Sequence, residues 1–211
     1  DIVPLGLECS GVISAVGPGV TQWAVGDEVM AVVPYGFASH CITNEYAAIR
    51  KPRDLDHEDA AAIPLAFLTA EYCLRKVARL EAGERVLIHA GAGGVGLAAI
   101  QIAKAIGAEI FATAGSDEKR EFLRDIGVHH VMNSRTLEFS DEIDRVTDGE
   151  GVDVVGHDRD GAGADLLEKI AVGDKAKALI PGVVARREML LDIVVGTELR
   201  SDHAEQHFLD L

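Results

Sequence analysis

Aromatic residues are scarce, at 5% of 211 positions with a single tryptophan. With 22 glycines in the same chain, this points away from an aromatic-rich sandwich and toward an α/β fold with many tight turns. Cysteine is limited to Cys9, Cys41 and Cys73, far apart in the sequence and without a C-x-x-C pair. That argues against a disulfide framework and a four-cysteine zinc site, and it fits a reducing, cytoplasmic compartment. Basic residues are outnumbered 20 to 35, leaving a net charge of −15. Such a field repels a phosphate backbone and an anionic membrane surface, so neither nucleic acid nor membrane is an expected partner. No apolar run reaches spanning length, and no signal peptide opens the chain. What remains is 48% apolar and 26% charged, the mix of a soluble globular protein with a core, of one large domain or two small ones. The opening DIVPLGLECSG, without Met, and the hydrophobic close EQHFLDL suggest a piece of a longer polypeptide rather than a processed small protein.

Residues 1–58 read as a small β-rich unit. Its apolar clusters GVISAVG, DEVMAVV and HCITNEYAAI are punctuated by Gly17-Pro18-Gly19 and Gly26-Asp27. After a polar connector, a helix is predicted across Asp59–Arg79, interrupted by Pro64. From Glu84 the pattern becomes β-α alternation. Arg85–Ala90 (RVLIHA) is a continuous apolar strand, as a parallel sheet covered on both faces requires. Helices follow at Val95–Ile106, Asp117–Ile126 and Phe139–Thr147, and strands at Glu109–Ala114, His130–Asn133 and Val152–Val155. That order predicts right-handed βαβ units and an α/β, doubly wound parallel sheet over residues 59–180. A helix at Ala164–Val172 and a strand at Ala176–Ile180 would complete it, leaving residues 181–211 as a divergent helical segment.

Gly91, Gly93 and Gly96 fit G-x-G-x-x-G between a predicted strand and a predicted helix. Glycine permits the tight turn and a close backbone approach to a pyrophosphate, which the helix N-terminal N–H groups then face. Ala92, Gly93, Gly94 and Val95 are therefore candidate cofactor-binding residues; the alternative is a purely structural turn. An NAD site usually ends the second strand on Asp or Glu, for the ribose hydroxyls. Here the strand ends at Ala114 and leaves through Gly115-Ser116, with Lys119 following and Ser134-Arg135 ending the third strand. A hydroxyl and two cations suit a 2′-phosphate, which favours NADPH. Taken singly, Lys119 and Arg135 read equally well as ordinary solvated charges.

Several segments carry a resemblance. GLECSGVISAVG (6–17), the turn Val25–Val29, IPLAFLTAEYCL (63–74) and GERVLIHAGAGGVGLAAIQIAK (83–104) resemble the medium-chain dehydrogenase/reductase superfamily. GAEIFATAGSDEKREFL (107–123), HHVMNSRTLEF (129–139) and GEGVDVV (149–155) are similar to the enoyl reductase domains of type I polyketide and fatty acid synthases. The likeness is nearly continuous over residues 2–155. It implies a Rossmann-type NADPH-binding domain with part of a β-rich, GroES-like substrate domain. It also implies reduction of a trans-2-enoyl thioester on a carrier domain, with hydride going to Cβ and a proton to Cα. Neighbouring synthase domains are the implied partners, and a homodimer is left open. Thr69 lies in the family's Thr-Ala motif near the nicotinamide; capping of a buried turn is the equal alternative. No catalytic acid is assigned, because oxyanion stabilisation by backbone N–H groups leaves no sequence signature.

Three departures from the family stand out. Zinc-dependent relatives carry Gly-His-Glu where this chain has Gly6-Leu7-Glu8, and leucine cannot ligate metal, so no metal is expected. His89 then reads as a buried histidine under the glycine loop. The family's substrate-side Tyr maps upstream of residue 1, and Tyr35, Tyr46 and Tyr72 belong to other motifs. Gly156-His157-Asp158 stands where the family has Leu-Asn-Ser facing the nicotinamide. The remaining readings are a stand-alone zinc-independent quinone oxidoreductase-like enzyme and a non-catalytic nucleotide-binding remnant.

Overall fold

The computed structural model describes residues 5–156 and 178–180. The chain divides into two compact units, residues 1–71 and 72–211. The division comes later than the sequence boundary after residue 58, because the two helices that follow it pack on the first sheet.

The first unit holds β1 (Glu8–Val12), β2 (Glu28–Val32) and β3 (Ala48–Arg50) in an antiparallel sheet of that order. Helices α1 (His57–Ala61) and α2 (Pro64–Glu71) follow. The helix expected over 59–79 is interrupted at Pro64 as expected, but it starts earlier, at His57, and its α-helical part ends at Glu71. Asp56 caps α1 by accepting from Asp59 N, and Pro64, with no N–H to donate, opens α2. Side chains on β1 fix both helices to the sheet. Glu8 Oε2 accepts from Leu65 N at 2.8 Å. The Ser10 hydroxyl donates to Val29 O at 3.0 Å, so the 2.8 Å contact with His57 Nδ1 is donated by the imidazole.

The second unit begins with a π-helical turn, Tyr72–Val77, and continues as β4 (Arg85–Ile88), α3 (Gly94–Ile106), β5 (Glu109–Ala114) and α4 (Asp117–Asp125). Next come β6 (His130–Asn133), α5 (Glu138–Val146), β7 (Val154–Gly156) and β8 (Ala178–Ile180). The strands are parallel, in the order β6-β5-β4-β7-β8. This is the doubly wound, Rossmann-type sheet that the sequence predicts. The strand expected over 152–155 starts later, at Val154. The helix expected at 164–172 and the segment 181–211 lie outside the described residues.

The sheet is apolar on both faces because it is covered on both. Leu87, Phe111, Met132 and Val155 point to one side, where Phe139 and Ile143 of α5 close a buried cluster. Each such side chain contributes roughly 1.5–3 kcal/mol on burial. Ala112 points to the other face, where it sits with Leu123 of α4 and Ile100 of α3 around Gly91. Gly107 ends α3 in the left-handed region at φ 89°, its N–H returning to Ala103 O and Lys104 O. At the bottom edge, Arg85 bridges Glu109 and Glu150, and His130 Nε2 meets Glu109 Oε1 at 2.8 Å.

Candidate functional site

The site lies at the C-terminal edge of the parallel sheet. From β4 the chain runs left and right through the strand order, to β5 and β7, so the loop after β4 opens at the point where that order diverges. Ala90 begins this loop at φ 52°, a conformation uncommon for a residue with a Cβ. Gly91 N–H donates to Thr113 O at 2.9 Å, which ties the loop to β5. Gly93 N–H turns back to Ala90 O at 2.8 Å. Thr113 is fully buried, and its hydroxyl lies 2.9 Å from His89 Nδ1. His89 itself is half-buried rather than buried, with its ring edge-on to Phe139.

The glycines of this loop do different work. A Cβ on Gly96 would fall 2.7 Å from Gly91 O and closer still to Ala90 O, so only glycine lets α3 start this tightly under the loop. A Cβ on Gly91 would meet Ala112 Cβ at 3.0 Å. Gly93 and Gly94 are exposed, and a Cβ on Gly94 would meet nothing within 4 Å. Gly93 is the N-cap of α3 and offers no side-chain cap. The first-turn N–H groups, including those of Gly94 and Val95, are therefore left for an outside acceptor, at the positive end of a helix. Ala92 and Val95 border this opening, half-buried. The arrangement fits a pyrophosphate: open space in front, N–H groups behind it, and no side chain in the way.

One strand over, β5 ends on Ala114 without a carboxylate, and the chain leaves through Gly115 and Ser116. Ser116 caps α4, its hydroxyl accepting from Lys119 N at 3.3 Å. The hydroxyl proton stays available to a second acceptor. Ser134 N–H donates to Ala114 O at 3.2 Å, bringing the end of β6 beside the end of β5. Arg135 then lies across Gly115: a Cβ there would fall 2.8 Å from Nε and 3.0 Å from Nη2. The fold thus gathers Gly115, Ser116, Ser134 and Arg135 at one strand end, with an exposed Lys119 on the first turn of α4. Thr69 is half-buried on α2, in the other unit, and His157 and Asp158 lie outside the described residues.

Two residues that sequence reading missed hold this corner together. Arg120 pairs with Asp117 and also donates to Ala114 O at 3.1 Å. It thereby offsets an acidic charge at the helix start that would otherwise repel an anion. Asn133 Oδ1 accepts from Arg135 N at 2.9 Å, which sets the turn carrying Arg135. The available signal was the Asn-Ser-Arg sequence, a side-chain-to-backbone turn former ahead of the cation. Among the described residues no cluster of His, Cys, Asp and Glu is arranged to hold a metal, and Leu7 is half-exposed, its carbonyl accepting from Val33 N at 3.0 Å. No helix among them is long and apolar enough to cross a membrane.

A glycine cradle at a helix start on a doubly wound sheet is the arrangement of the dinucleotide-binding α/β folds, and here the same chain also holds a small antiparallel β unit. Comparison with known proteins agrees. The alcohol dehydrogenase GroES-like domain matches residues 2–56, and the zinc-binding dehydrogenase family matches residues 94–157. The chain belongs to the medium-chain dehydrogenase/reductase superfamily, among its enoyl reductase domains. A mycocerosic acid synthase-like polyketide synthase of Mycobacterium tuberculosis is 48% identical over 174 residues, 81% of this chain. The chain spans 8% of that relative's length. The crystal structure of CurK enoyl reductase superposes with a TM-score of 0.75 at 39% identity, over 97% of this chain and 69% of that one. A mycobacterial protein solved in complex with NADPH superposes with a TM-score of 0.70 at 33% identity, over 80% of this chain and 53% of that one.

Proposed function

We propose that this chain is the NADPH-dependent enoyl reductase domain of a polyketide or fatty acid synthase, reducing trans-2-enoyl thioesters held on a carrier domain. The observation that carries the cofactor choice is the end of β5. A ribose-binding acid is missing there, and a guanidinium, a hydroxyl and an ammonium take its place. The reaction rests on the enoyl reductase and synthase relatives, and the partners it needs are the carrier and neighbouring synthase domains, in a module that dimerises.

Bound NADPH supplies the hydride for the thioester's Cβ. The chain's own residues do the holding. The backbone N–H groups of Gly94 and Val95 receive the pyrophosphate at the start of α3, while Gly93 N–H is spent on Ala90 O. Ser116, Lys119 and Arg135 receive the 2′-phosphate, and Arg120 keeps Asp117 from opposing it. By resemblance alone, Thr69 of the family's Thr-Ala motif is assigned to the nicotinamide end, with capping of a buried turn as its other role. Fixing the dinucleotide along the sheet edge sets where its reactive end lies, and positioning of that kind supplies a large part of such catalysis.

The test is NADPH consumption with crotonyl thioester and, separately, with a quinone. The proposal expects thioester-dependent consumption and a product heavier by two hydrogens. Turnover of quinones alone would make the chain a quinone oxidoreductase-like enzyme. Tight binding without turnover of either would make it a non-catalytic remnant.

A further inference from the structure

Cys9 and Cys41, 32 positions apart in sequence, meet in the first unit with their Sγ atoms 3.6 Å apart. The sequence spacing gave no hint of this, and the contact is built by the fold. Along β1 side chains alternate. Glu8 and Ser10 engage α2 and α1, and Cys9 between them turns to the opposite face. The irregular segment 33–44 runs past that face and is pinned at both ends. Gly36 N–H donates to Gly6 O at 2.9 Å, and the Thr43 hydroxyl donates to Val32 O at 3.0 Å. Gly36 comes so near β1 that a Cβ on it would fall 2.5 Å from Glu8 O. Cys41 is exposed at the end of this path, Cys9 is half-buried beneath it, and both are free thiols.

We propose that Cys9 and Cys41 form a dithiol modification site that a peroxide closes into an intramolecular disulfide. Cys41, open to solvent, meets the oxidant first. Its sulfur takes one oxygen of hydrogen peroxide, becoming a sulfenic acid and releasing one water. Cys9 Sγ then attacks Cys41 Sγ; the S–O bond breaks, and the departing hydroxide takes the Cys9 proton as a second water. The two sulfurs give up two electrons in total, and the peroxide accepts them. Burial and the neighbouring Cys41 thiol push Cys9 up to about 11. Cys9 therefore stays a thiol near neutral pH, which suits a resolving role better than first attack. Its alignment against Cys41 offsets the low thiolate fraction. The product ties segment 33–44, with its exposed Phe37 and Ile42, to β1.

The experiment treats the full chain with a small excess of hydrogen peroxide, alkylates free thiols in denaturant, and maps peptides by mass. Free thiols should fall from three to one, with a loss of two hydrogens and one linked peptide pair, Cys9 to Cys41. A dithiol reductant should restore all three. Cys73→Ser should give the same linked pair, and Cys9→Ser should instead accumulate a sulfenic acid at Cys41 that dimedone traps. Three surviving thiols, a sulfinic acid at Cys41 in the unsubstituted chain, or Cys73 in the linked pair would each overturn the proposal.

Discussion

Gly115→Ala tests the 2′-phosphate corner without touching a charge. The new methyl would sit 2.8 Å from Arg135 Nε, 3.0 Å from Nη2 and 3.1 Å from Cζ. Non-bonded heavy atoms settle at about 3.5 Å or more, so the guanidinium must withdraw by roughly 0.7 Å or swing away. The obstacle is the far end of a flexible side chain, and Gly115 is not among the residues of positive φ. The fold therefore accommodates alanine at little cost. What changes is the aim of Arg135. A hydrogen bond to a charged group is worth about 1.5–3 kcal/mol, and its complete loss corresponds to roughly 10- to 150-fold in affinity. Calorimetric titration should show NADPH binding weakened about tenfold, NADH binding unchanged, and an unaltered unfolding temperature. Arg135→Ala should move NADPH in the same direction. Equal weakening for both cofactors in a folded Gly115→Ala protein, or unchanged NADPH affinity, would refute the reasoning.

The glycines of the cradle should separate by role. Gly96→Ala drives a methyl into backbone oxygens, which should lower the urea midpoint by an amount equivalent to roughly 1–3 kcal/mol. Gly94→Ala faces open space in the first turn of α3 and should leave the midpoint level or raise it, by up to about 1 kcal/mol. Glu109 links to acid stability. Burial raises its carboxyl pKa, but hydrogen bonds and charge from His130 and Arg85 outweigh this and hold it below the usual value. A depressed folded pKa gives stability that is present above the unfolded value and lost as pH falls through the folded one. The urea midpoints of Glu109→Gln and the parent should therefore differ most near neutrality and converge in acid. Finally, with Leu7 in place of a zinc ligand, a chelator should change neither the unfolding temperature nor NADPH titration.

Much of the second unit was legible because its signals are local. The strands 109–114 and 130–133 stand where alternation and apolar runs place them. Helix α3 begins one residue before its expected start, because Gly93 takes the cap position. Val154 opens β7 later than expected: Gly151, at φ 73°, turns the chain, and Asp153 is spent on Arg85 through backbone and side chain. The break of the run 59–79 at Pro64 is legible, but the π-helical turn at 72–77 depends on packing that periodicity does not encode. At the site, the glycine pattern and the missing acid were visible in sequence. Arg120 was not, since its work is to join α4 to the ends of β5 and β6, and such contacts exist only after folding. The meeting of Cys9 and Cys41 is of the same kind.

The central claim is that the cradle at 91–96 and the corner at 115–135 together hold NADPH. Calorimetric titration of the full chain with NADPH and with NADH tests this most directly, repeated on a Lys119→Ala, Arg135→Ala double variant. The account predicts one NADPH per chain, bound at least about tenfold more tightly than NADH, with the preference gone in the double variant and NADH affinity unchanged. Equal affinities in the parent, a tighter grip on NADH, or a preference that survives the double substitution would contradict it.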